Sequence, residues 1–426
     1  MFRPIMMLYL VAVIAYFLLR IVNSKPNNRV KEVLIACAYI AGSEVFFRMT
    51  KAYFLYETGK YLVMFFIVVG LFYNSFKRKA YPYALFLLLL FPAIFVSSQE
   101  LGYDVDFRKA VLFNLSGPLC LIFVAIYTYG KTLTYKDFLS VLNYLVYPLI
   151  SMTVYVFLYN PDLRGIITNT AANSAATGGY GPNQVSTILG LGIFVLFTRL
   201  LIPFNNKTVH FLMMFFLAAM VYRGILSFSR GGILTAVIMS ITFLIIYFSF
   251  TNLKSKVSSV VKLLGVLGVI TFIWTLTIMQ TGGLIENRYT NKDALGREKE
   301  DITTGRGDII NTELDAFYEH PFFGVGIGKM KFIRFEETGV LAATHNEISR
   351  MLSEHGLFGV FALLILIIVP IINNPFGIKN IYFYPLLLFW LLTISHSSMR
   401  IAAPAFIYGL GLITIIHEKK DSVHRK

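Results

Sequence analysis

Two arginines stand where an apolar environment would make them costly. Arg223 and Arg230 lie in Tyr222-Arg223-Gly224-Ile225-Leu226-Ser227-Phe228-Ser229-Arg230-Gly231-Gly232, a short polar stretch between two strongly apolar runs. A guanidinium at membrane depth must pair or face water, so each is a candidate for holding a substrate anion. If one helix ran through, their spacing would put both on one face. Snorkelling to the interface is the plain alternative for Arg223, whereas the Ser and Gly neighbours of Arg230 let a ligand or a backbone come close. A third arginine, Arg306, opens the stretch Thr303 to His320, where Ile309, Ile310, Leu314, Phe317 and Tyr318 make a helical stripe that Pro321 ends. The backbone amides of such a helix start also favour an anion.

A fourth candidate is a histidine. In Thr344-His345-Asn346-Glu347-Ile348-Ser349-Arg350-Met351-Leu352-Ser353-Glu354-His355-Gly356, helical spacing puts Glu347, Arg350 and Glu354 on one face as a mutually neutralising network. His345 leads into this segment with Asn346 beside it. The spacing is not His-Glu-x-x-His and no third ligand is suggested, so zinc is not implied; alone, His345 reads as a surface residue. Phe323 to Gly328 is a turn rather than a nucleotide loop, because no strand precedes it and no helix with an acidic partner follows. The stretch 160 to 184 is rich in Gly, Ser, Thr, Asn and Ala and contains Arg164. It is either a flexible connector or the wall of a polar cleft, with Asn183 and Gln184 at the start of the next helix.

Membrane-spanning helices must position these residues. Hydrophobic residues make up 56% of the 426, charged residues 14%, and the mean hydropathy is +0.67, which excludes a soluble domain. Apolar blocks long enough to cross about 30 Å of hydrocarbon fall near 5–21, 33–47, 58–74, 82–97, 109–129, 139–159, 185–203, 209–226, 232–250, 258–279, 357–373, 381–396 and 402–416. The expectation is an all-α polytopic protein of about 13 spans, or 12, since 33–47 is short and contains Glu44. The chain divides into N-terminal helices (1–160), a helical core (161–280), a long loop with its own short amphipathic helix (281–356), and C-terminal helices with a tail (357–426).

With a cytoplasmic tail, Lys and Arg collect on alternate loops, at Lys25, Arg29 and Lys31, at Lys77, Arg78 and Lys79, at Lys131 and Lys136, and at Lys254 and Lys256. The loops at 160–184 and 281–356 then face outward. The formal charge is +15, yet 281–356 holds 13 of the 23 acids against nine Lys and Arg. The positive excess therefore sits at cytoplasmic helix ends against anionic headgroups, and nucleic acid is not an expected partner. Cys37 and Cys120 fall inside spans and are expected to pack rather than pair. The first apolar run lacks a small-residue cleavage site and is expected to stay as a helix. No repeat is visible, which argues against the inverted-repeat pattern of secondary transporters.

Arg230 in Ser-Arg-Gly-Gly, Arg306 ahead of Pro321 and Gly324-Val325-Gly326, His345-Asn346 leading to Glu354-His355-Gly356 and Gly359, and Pro182-Asn183 before a span resemble the O-antigen ligase and polymerase family. The likeness is best over about 180–360. It implies a GT-C-like, metal- and cofactor-independent glycosyltransferase in the bacterial cytoplasmic membrane, with its site facing the periplasm or exterior. Such an enzyme moves a glycan from undecaprenyl diphosphate to a hydroxyl of a glycan, a lipid-linked acceptor or a protein. It implies Arg230 and Arg306 on the donor diphosphate and His345 as the base; family members often carry an aromatic four residues after the loop arginine, where Ile310 stands here. Arg223, Arg164, Arg400, Asn183, Asn346 and Glu354 are added as substrate-binding candidates. A lipid-linked oligosaccharide flippase would share the span count and the cationic interior, but would not need a base on an outer loop.

Overall fold

The computed structural model describes residues 3–102, 105–160, 165–202, 206–300, 306–339, 344–374 and 380–416. The apolar runs become helices because hydrocarbon offers backbone groups no partners but each other. In chain order these are α1 (Arg3–Asn23), α2 (Arg29–Met49), α3 (Thr58–Tyr73), α4 (Tyr81–Glu100), α5 (Phe107–Thr128), α6 (Tyr135–Tyr159), α7 (Pro182–Leu201) and α8 (Lys207–Leu226). Then come α9 (Arg230–Phe250), α10 (Leu253–Gln280), the short α11 (Leu284–Tyr289), α12 (Arg306–Glu319) and α13 (Met330–Thr338), followed by α14 (Glu347–Asn373), α15 (Phe383–His396) and α16 (Ala402–Gly411).

Each expected span finds a helix, but length and apolarity separate them. Among the described residues nine helices are long and apolar enough to cross a membrane, and α3, α15 and α16 are shorter apolar helices. The block at 33–47 is longer than expected: α2 covers 21 residues and is buried almost throughout, Glu44 included. It packs on α6 and α3 in the interior, so its charges meet protein rather than lipid. Outer helices such as α1 and α10 leave apolar side chains, Leu8 and Phe272 among them, on the surface, as a bilayer requires. Cys37 and Cys120 are free and buried.

At one end of the bundle β1 (Thr132–Thr134) pairs in parallel with β2 (Thr414–Ile416), tying the α5–α6 connection to the chain after α16. The supposed continuity of α8 into α9 fails. Phe228 adopts a left-handed φ of 56° and the chain turns through Ser227–Ser229, so Arg223 and Arg230 belong to different helices and do not share a face.

The other decisive break lies in α14, where Gly356 has φ 60° and ψ −141°, a conformation open to glycine alone. Pro321 to Gly328 wraps this kink. Val325 N–H donates to the Ser353 carbonyl (2.9 Å), Leu357 N–H to the Pro321 carbonyl (2.7 Å), and Gly328 N–H to Glu354 Oε1 (2.8 Å). The turn expected at 323–328 is thus the strap that holds the segment after His345 against the bundle.

Candidate functional site

The site begins where α7 and α9 start side by side. Ser186 Oγ donates to the Ser229 carbonyl (2.7 Å), and Ser229 Oγ donates to Asn183 Oδ1 (2.8 Å). Gly190 and Gly232 touch backbone to backbone, with no space for a Cβ on either, which brings the two helix starts together. Asn183 is therefore at the site, with its carbonyl oxygen engaged in orienting the turn before Arg230.

Arg230 opens α9 and is half-buried; its Nη1 donates to the Arg288 carbonyl (3.3 Å). In return Arg288 Nε donates to the Phe228 carbonyl (3.0 Å). Burial lowers the Arg288 guanidinium's hold on its proton, and the fields of Arg230 and Arg306 lower it further. Arg306, at the start of α12, is depressed by burial and by Arg230. Arg230, Arg288 and Arg306 thus gather half-buried cations in one place, where burial and like charge lower Arg288 and Arg306.

His345 stands within reach of Arg306. Burial first, then Arg306, Arg400, Arg334 and His396, pushes its imidazole down to about 4. Its Nδ1 is buried with no hydrogen-bond partner among the described residues. Arg400 holds the peptide ahead of it, Nη2 donating to the Thr344 carbonyl (2.6 Å), while its guanidinium lies 4.6 Å from the Phe113 ring centre. The turn that carries Arg400 is gripped by buried charges. Arg48 Nη2 donates to the Arg400 carbonyl (3.3 Å), Lys60 Nζ to the Met399 carbonyl (3.2 Å), and Ala402 N–H to Glu44 Oε2 (2.5 Å). Arg48 pairs with Glu44 (2.6 Å) and Lys60 with Glu57.

The remaining candidates divide. Asn346 caps α14, accepting from the Ile348 and Ser349 amides (2.9 and 3.4 Å). Glu354 pairs with Arg350 (3.1 Å), which also pairs with Glu347, so the expected network forms. Arg223 is buried at the end of α8, gives Nη2 to the Asn160 carbonyl (2.9 Å) and lies 4.2 Å from the Phe157 ring centre. Arg164 lies outside the described residues.

Four residues escaped the sequence reading. Arg288 belongs to the short helix α11, inside the long loop expected at 281–356. His396 ends α15; its Nδ1–H donates to the Leu392 carbonyl (2.6 Å), and its ring covers Gly231, so glycine is required beside Arg230. Glu313 and Arg334 pair at 2.8 Å, and Glu313 also accepts from Ser349. Burial lifts Glu313 above the usual carboxylate range. The His396 signal was a histidine within a polar cluster ending an apolar run; the 21-residue gap between Glu313 and Arg334 carries no local signal.

Fold and site together define a polytopic all-α membrane protein with a cationic, histidine-bearing polar site at the ends of its helices. Residues 212–364, from within α8 to within α14, match the family model described as O-antigen ligase. Over that stretch, which holds Arg230, Arg288, Arg306 and His345, the chain is similar to O-antigen ligases, and the resemblance read from its motifs is borne out. No curated protein matches the sequence.

Proposed function

We propose that this protein transfers a glycan from undecaprenyl diphosphate to an acceptor hydroxyl during surface-polysaccharide assembly, as a polymerase or a ligase. The observation that carries the reading is the grouping of Arg230, Arg288 and Arg306, with Arg306 also acting on His345, inside the stretch similar to O-antigen ligases. The acceptor oxygen attacks the anomeric carbon and the bond from that carbon to the phosphate oxygen breaks. The electron pair leaves with the diphosphate, and His345 takes the acceptor proton. Guanidinium groups in a partly dry cleft stabilise the departing charge through paired hydrogen bonds, so no metal is required. One displacement inverts the anomeric centre. Asn183 sets the turn that aims Arg230, and Arg400 sets the peptide that aims His345. The protein lies in the bacterial cytoplasmic membrane with this site outward.

The test is transfer in vesicles reconstituted with wild type, Arg230→Ala and His345→Ala, given undecaprenyl-diphosphate oligosaccharide and EDTA. Wild-type transfer that both substitutions abolish supports the reading, and a ladder of products distinguishes polymerisation from a single ligation. Movement of the donor across the membrane without transfer overturns it in favour of a flippase, and full transfer by His345→Ala overturns the assignment of His345 as the base. Retention of anomeric configuration, seen by NMR of the product linkage, overturns the single displacement.

A further inference from the structure

Beside His345 lies a second, differently built space. A cavity of about 530 Å³, in the range of small-ligand sites, opens between the start of α5, α13 and the first turns of α14. Thr344 and Arg334, the peptide neighbour of His345 and one of the cations acting on it, form part of its wall. Arg230, Arg288 and Arg306 are not among its lining residues. His345 therefore feels the arginine cluster through Arg306 and the cavity through Arg334.

Four basic side chains line this cavity, Lys109, Lys331, Arg334 and Arg350, against two acidic ones, Asp106 and Glu354. Arg334 is paired with Glu313, and Arg350 with Glu347 and Glu354. Asp106 caps α5, taking the Lys109 amide (2.9 Å). Lys109 and Lys331 remain, with no acidic partner within ion-pair distance among the described residues; Lys331 Nζ lies 4.5 Å from the Phe332 ring centre. Phe113, Phe332 and Val105 add apolar faces between these charges. Flat apolar faces with lysines at the rim suit a sugar that carries a negative group, and a cleft concentrates the attraction.

We infer that this cavity is the acceptor subsite and that it takes an acidic glycan end, a sugar bearing a carboxylate, with Lys109 and Lys331 holding the charge while the attacking hydroxyl reaches His345. The inference rests on the proposed glycan transfer for the word acceptor, but binding can be read without turnover. Full-length protein in nanodiscs is titrated calorimetrically with trigalacturonic acid, with maltotriose and with inorganic pyrophosphate, as wild type, Lys109→Ala and Lys331→Ala. Alkylation of a Val105→Cys reporter by a maleimide, against the two buried native cysteines, locates the ligand.

The expected result is that trigalacturonate binds, slows alkylation at least threefold and weakens at least fivefold in each lysine variant and on raising the salt, while maltotriose and pyrophosphate do neither. Equal protection by maltotriose overturns the charge recognition. Protection by pyrophosphate alone makes the cavity a phosphate site, and no protection by any probe removes the subsite. If trigalacturonate protects while the vesicles show no transfer, the sugar site stands and the proposed reaction falls.

Discussion

His345 carries a contradiction that its proposed role resolves. An imidazole held down to about 4 is neutral at pH 7 and able to accept a proton, yet it is a weak base. Burial is the largest cause and nearby guanidiniums follow, so a bound diphosphate, which neutralises those cations, raises its basicity. The donor would thus activate the base. In the proposed role the neutral form is the active one, so activity is expected to be lost as pH falls through the pKa. The kcat/KM for donor, which reports the free protein, is expected to stay level from neutral pH down to about 5 and to fall through about 4. The kcat, which reports the donor complex, is expected to fall at a higher midpoint; coincident midpoints would sink the coupling. His345→Ala is expected to fold, insert and bind donor while losing about 10²- to 10⁴-fold in turnover, the usual worth of a positioned base. Arg288→Ala is expected to weaken donor binding about tenfold, about 1.4 kcal/mol, in a titration with the diphosphate donor. Unchanged binding would confine Arg288 to its contact with the Phe228 carbonyl.

At the scale of elements, two devices place these side chains. The Gly356 break returns α14 against the strap Pro321–Gly328, and a Cβ at Gly356 would lie 2.6 Å from the Phe322 carbonyl oxygen. Gly356→Ala is expected to cost about 1–3 kcal/mol through the backbone conformation alone, with steric overlap in addition. Thermal unfolding in detergent reads it, and a melting temperature equal to wild type would show that the strap yields. The second device is the buried set Glu44, Arg48, Glu57 and Lys60, which grips the turn carrying Arg400. Removing one member leaves its partner uncompensated, so Glu44→Ala is expected to lose about 3–5 kcal/mol. Glu44→Gln, which keeps an acceptor for the Ala402 amide, is expected to recover part of that loss in the same measurement.

For the whole molecule, the helix order puts the chain before α9, after α11 and between α15 and α16 on the side opposite the β1–β2 pair. An impermeant maleimide tests this on intact cells, because both native cysteines are buried and silent. Thr290→Cys is expected to label from outside, and Ser24→Cys only after the membrane is opened. The reverse pattern would place the site in the cytoplasm.

The spans were legible from composition and block length because a bilayer imposes one length and one polarity on anything that crosses it. Arg230, Arg306 and His345 were legible because a cation amid apolar runs and a motif order are local properties of the chain. The turn at Phe323–Gly328 and the Glu347, Arg350 and Glu354 network were legible for the same reason. Tertiary structure alone decided that Phe228 separates Arg223 from Arg230, because a left-handed residue that is not glycine leaves no mark in a helical pattern. It alone brought Arg288 to Arg230, His396 over Gly231, and Glu44 to the turn before α16, whose amide lies 358 residues away along the chain. Such contacts join helices whose periodicity records only which face is apolar, and the partner of a buried charge is chosen by packing rather than by its neighbours in sequence.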